Sequence, residues 1–178
     1  MAKDHTPITL FGVGNALRGD DGIGLVLARS VGALSPRRFT VRECTGEPAA
    51  LLPQWSGLDA AMVFDAVHSG SAPGAIFRVD VTESPLPDAF KQTSTHGFGV
   101  AEAVELSRAL GVLPDRLLVY GVEAASFDHG AEMSAEVAAA IPEVVRIAAC
   151  DATAWTGQTF PADPETDSAC TNTVWRSP

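Results

Sequence analysis

Cysteine, basic residues and long apolar runs are all scarce in this chain of 178 residues, and each scarcity removes a class of protein. The three cysteines, Cys44, Cys150 and Cys170, are far apart and odd in number, with no Cys-x-x-Cys spacing. That pattern suggests neither a zinc knuckle nor a disulfide framework and fits a reducing cytoplasm. No apolar run approaches the roughly 18 residues that a membrane span requires, and residues 1–7 carry no basic flank leading into a long apolar core. A soluble, unexported, cytoplasmic protein is therefore expected. Only 12 Lys and Arg stand against 22 Asp and Glu, a net charge of −10 that speaks against nucleic acid or an anionic membrane as partner. With 46% hydrophobic residues, the chain can bury an ordinary core without a metal or disulfide staple.

Several catalytic signatures are also missing. There is no Gly-x-Ser-x-Gly nucleophile elbow, no His-Glu-x-x-His zinc helix, no cysteine beside a histidine at a helix start, and no Gly-Lys-Ser or Gly-Lys-Thr of a P-loop. Gly12 and Gly14 open a dinucleotide fingerprint, but Leu17 stands where its third glycine belongs. The adjacent acidic pair, Asp20 and Asp21, would also repel a pyrophosphate from a helix N-terminus. No organic cofactor is expected.

What remains is an alternation of strand and helix patterns. Strands are predicted at residues 8–13, 39–44, 60–67, 75–81 and 116–122, and helices at 22–34, 47–55, 96–110 and 134–149. This order predicts a mostly parallel sheet with helices on both faces. Residues 81–95, with Pro85 and Pro87, are long for a connection and read either as a functional loop or as a plain surface excursion. Residues 1–150 are expected to form one α/β domain. Residues 151–178 are rich in Thr, Asp, Ser and Pro and lack periodicity, so they read as a polar tail outside the core, dispensable for folding.

Three candidate site residues emerge from the ends of these elements. Gly12, Gly14 and Gly19 precede Asp20 and Asp21 at a strand-to-helix turn, which allows tight curvature and places carboxylates where a helix begins. The plain alternative is that Asp20 caps the helix and Asp21 is a solvated first-turn residue. Asp65 is the one carboxylate in the apolar run 60–67; an ionised group there is costly unless paired, hydrogen-bonded or metal-bound. Its alternative role is to anchor the following turn. In a doubly wound sheet the crevice beyond the strands' carboxyl ends is reachable from both Asp21 and Asp65. His96 stands at or just before a helix start, where the dipole disfavours its cation and keeps the imidazole fit to ligate a metal. Two carboxylates and one imidazole suit a divalent transition metal with open positions better than a closed structural zinc site. His5, His68 and His129 look less committed.

The segments Gly12-Val13-Gly14-Asn15 to Asp20-Asp21-Gly22-Ile23-Gly24, Val63-Phe64-Asp65-Ala66, Thr95-His96-Gly97 and Tyr120-Gly121-Val122-Glu123, in this order, resemble the hydrogenase maturation proteases. The resemblance runs over residues 8–149. It implies a three-layer α/β/α sandwich with a twisted five-stranded sheet. It also implies an aspartic-type endopeptidase that removes the C-terminal extension of a nickel-iron hydrogenase large-subunit precursor. On that likeness Asp21, Asp65 and His96 are both the catalytic and the metal-binding residues, and the nickel is carried by the substrate. Whether the metal polarises the carbonyl, activates water or only positions the chain stays open, as does a general-base role for Asp21 or Asp65. A non-catalytic nickel-binding maturation chaperone is the alternative. One departure is Ala124, which follows Glu123 where many members have proline, so this loop is expected to differ in shape.

Overall fold

Apolar strands covered on both faces build the sheet in the computed structural model, which describes residues 7–45, 47–90 and 99–160. Strand β1 (Ile8–Val13) and strand β3 (Ala60–Val67) are buried along their whole length, as expected for central strands covered on both faces. The order is β2-β1-β3-β5-β4, with β2 spanning Phe39–Cys44, β5 Arg116–Glu123 and β4 Ile76–Asp80. All neighbours are parallel except β4, which runs antiparallel to β5. The short link between β3 and β4 leaves no room for a helical crossover, and β4 accordingly returns in the opposite direction.

Helices cover both faces. On one, Ile23, Leu27 and Val31 of α1 (Ile23–Leu34) and Val137, Val144 and Ala148 of α4 (Ala135–Thr156) pack on Ile8, Leu10, Met62, Phe64 and Tyr120. On the other, Leu51 and Trp55 of α2 (Pro48–Trp55) and Val100, Ala103 and Val104 of α3 (Val100–Leu110) pack on Phe11, Val63, Leu117 and Val119. The result is the expected three-layer α/β/α sandwich. Among the described residues, no helix is long and apolar enough to cross a membrane.

The C-terminal boundary is not at residue 150. Helix α4 continues to Thr156 and ends on Gly157 in the left-handed conformation. Asp151 accepts two hydrogen bonds from the Arg78 guanidinium, at 2.7 and 2.6 Å, and a third from the Tyr120 hydroxyl. Phe160 is buried against Phe39, with ring centroids 4.9 Å apart. Asp151, Ala152 and Phe160 thus tie this segment to the core. Cys150 is disulfide-bonded, which the wide cysteine spacing did not announce. The rest of the expected tail, 161–178, lies outside the described residues.

Candidate active site

The sheet order makes the place of the site. The chain leaves β1 through α1 toward β2 on one side and reaches β3 on the other, so a crevice opens beyond the carboxyl ends of β1 and β3, the switch point where ligands bind in such folds. Asp21 arrives there after β1, in a 3₁₀ turn (Gly19–Gly22) that runs into α1. Asp65 arrives near the end of β3.

Two glycines hold these segments together. Gly14 has φ +131°, and a Cβ on it would lie 1.8 Å from the Asp21 carbonyl oxygen. A Cβ on Gly24 would lie 2.2 Å from the Val13 oxygen and 2.4 Å from the Phe64 oxygen. Only residues without side chains let the first turn of α1 touch the backbones of both strands, and that contact carries Asp21 toward Asp65.

The electrostatics confirm the proximity. Asp65 is 6% exposed, and burial first, then the negative charge of Asp21, pushes its carboxyl up to about 7, against one opposing hydrogen bond from the Ala66 N–H. Asp21 is also raised, because burial outweighs the Arg18 guanidinium and the Asn15 backbone N–H. Asp65 is in register with Gly121, and the Phe90 ring fills the place of the missing Gly121 side chain, 2.8 Å from where a Cβ would stand.

Asp20, the other half of the acidic pair, faces away from this chemistry. Its carboxylate accepts hydrogen bonds from the N–H groups of Ala125, Ser126 and Ser134, at 2.8, 3.1 and 2.6 Å, and from the Ser134 hydroxyl at 3.0 Å. Burial would raise its pKa, but these bonds together hold it below the usual range. It does not cap its own helix; it fastens the loop between β5 and α4. Glu123 is likewise structural: it accepts from the Ser69 N–H and hydroxyl and from the Gly70 N–H, fixing the turn after β3. The Ala124 departure has a visible consequence, since its N–H donates to the Val67 oxygen at 2.9 Å, a bond that proline cannot make.

His96, the third predicted member, falls in residues 91–98, outside the described residues; α3 begins four positions later, at Val100. Among the described residues no three His, Cys, Asp or Glu side chains form a group able to hold a metal. Asp21 and Asp65 are hard oxygen donors of the kind a divalent cation takes. Arg18, 3.7 Å from Asp21, and Phe127, whose ring lies under its guanidinium, had no signal in the sequence.

Two of the buried carboxyls, Asp65 and Asp20, have opposite effects on stability. The folded state holds the Asp65 proton more tightly than the unfolded chain, whose aspartates titrate near 3.8. The stabilisation by Asp65 is complete below about pH 4 and is lost as the pH rises to about 7, while that of Asp20 is lost as the pH falls below about 4. Denaturation midpoints of wild type and Asp65→Asn at pH 5 and pH 8 are expected to diverge, the wild type losing more stability than the variant at the higher pH. Equal slopes would contradict the raised Asp65 value.

A family model described as HycI, hydrogenase maturation protease, matches residues 40–150, well over half of the chain and including Asp65. The chain belongs to the hydrogenase maturation protease family. Membership makes it a peptidase. The hydrogenase expression/formation protein HupM of Azotobacter chroococcum mcd 1 is 33% identical over 154 residues, covering 83% of this chain and 72% of that one. HoxM of Azotobacter vinelandii is 33% identical over 147 residues, 79% of this chain and 70% of its own. Among solved structures, the hydrogenase maturating endopeptidase HybD from E. coli superposes with a TM-score of 0.73 at 24% identity, over 92% of this chain and 100% of that one. The protease fold is therefore shared.

Proposed function

We propose that this maturation protease removes the C-terminal extension of a nickel-iron hydrogenase large-subunit precursor after nickel insertion, and that the nickel carried by the substrate is what it recognises. The observation that carries this reading is the convergence of Asp21 and Asp65, drawn together by glycine contacts, in the switch-point crevice. Two carboxylates with His96 offer oxygen and nitrogen donors without thiolate, so the substrate's own ligands can share the ion. A precursor anchored through its metal presents its scissile bond at a fixed place, which supplies rate by positioning. In its ionised form Asp65 can take a proton from the attacking water as the water oxygen bonds to the carbonyl carbon. The proton then goes to the departing amine as the C–N bond breaks.

The test is mass spectrometry of nickel-loaded and nickel-free precursor after incubation with the purified protease. Shortening of the loaded precursor alone is expected. Equal cleavage of both would overturn recognition through the metal, and an unchanged mass for both would favour a nickel-binding chaperone.

A further inference from the structure

Arg18 holds an unexpectedly well-built position beside Asp21. Its Nη1 lies 3.7 Å from the Asp21 Oδ2, near enough to neutralise the carboxylate and too far to lock it with a hydrogen bond. The guanidinium has a second seat, with its Cζ 6.0 Å from the centroid of the Phe127 ring. That ring is itself held. Asp20 fixes Ala125 and Ser126 immediately before it, and the Gly130 N–H donates to the Leu17 oxygen at 2.8 Å, tying the loop to the turn that carries Arg18. The two side chains are only 29% and 17% exposed, so solvent and salt screen this pair less than they would one on the open surface.

We propose that Arg18 is a selectivity-determining residue, the resident counter-cation of Asp21 that denies this carboxylate to free divalent metal and yields it only to a cation fixed inside a docked precursor. The inference rests on the reading that the substrate's nickel is recognised by Asp21. A free dication must approach Asp21 against the guanidinium charge without the contacts of a docked precursor to help it. A metal fixed in the precursor arrives with the contacts of the whole interface, and Arg18 can then lie back on Phe127. Selectivity of this kind comes from a repulsion against the wrong ligand as much as from attraction to the right one.

The probe is nickel(II) alone, titrated calorimetrically into the full chain without a polyhistidine tag. Arg18→Gln is expected to bind it about tenfold more tightly than wild type, as removal of one positive charge near a dication implies. Arg18→Lys keeps the charge and is expected to stay within about twofold of wild type. Asp21→Asn in the Arg18→Gln background should abolish the gain, and the gain should shrink as salt is added. Unchanged affinity in Arg18→Gln, with affinity lost in Asp21→Asn, overturns the role of Arg18 and leaves Asp21 as a ligand. A gain in Arg18→Gln that survives Asp21→Asn overturns both, because the metal then sits elsewhere. Thermal melts of each variant report folding separately.

Discussion

Asp65→Asn is expected to lower precursor processing by about 10²- to 10⁴-fold, the usual range for removal of a group that moves a proton, while the fold stays at least as stable as wild type. Asparagine keeps the shape of the side chain but cannot exchange the proton or present a full negative charge. Burial and the neighbouring Asp21 already penalise the ionised form of Asp65, so at pH 8 removal of the charge relieves the folded state. Asp21→Asn and His96→Ala are expected to depress processing in the same way. The measurements are cleavage rate by mass spectrometry and the denaturation midpoint. Wild-type rates in any two of the three variants would remove the site assignment.

Truncation after Cys150 is expected to give an insoluble chain or one that no longer melts cooperatively. It deletes Asp151, which leaves the Arg78 guanidinium and the buried Tyr120 hydroxyl without their shared acceptor. The pair is partly buried, so removing one side is expected to cost somewhat less than the roughly 3 to 5 kcal/mol of a fully buried one. Loss of Phe160 from its contact with Phe39 removes a further aromatic worth about 3 to 5 kcal/mol. Together these approach the whole stability of an ordinary domain, about 5 to 15 kcal/mol. Asp151→Asn isolates the ionic part and should produce a smaller fall in melting temperature. A truncated protein that melts as wild type does would show that α4 needs nothing beyond its first four turns.

The same region shows where the sequence stopped being informative. Strands β1, β2 and β3 fall at their predicted limits because an apolar or β-branched run bounded by turn residues is a local signal. Asp65 was legible for a related reason: a single carboxylate in such a run demands an explanation. Asp151 was not, since its partner Arg78 lies 73 positions earlier and a solvated aspartate looks the same in sequence as a paired one. Asp20 and Asp21 were legible from the residues only as a pair, and it was the family resemblance that singled out Asp21. Which of two adjacent carboxylates meets Asp65 and which meets Ser134 depends on the curvature of a turn, and that curvature is set by contacts of Gly14 and Gly24 with distant backbone. The direction of β4 was left open by the expectation of a mostly parallel sheet, although the brevity of the link before it is a physical reason for its reversal.

The Asp20 carboxylate joins the first turn of the fold to the last loop, for Ser134 donates to it across 114 positions. So long a closure carries a large entropy cost before any contact rewards it, and such contacts form late in folding. During synthesis, a chain that has not yet reached Ala125 already contains both Asp21 and Asp65, but it lacks the clasp that seats Phe127 beside Arg18. The seating of Arg18 beside Asp21 therefore waits on the loop that follows β5, long after both carboxylates have been made.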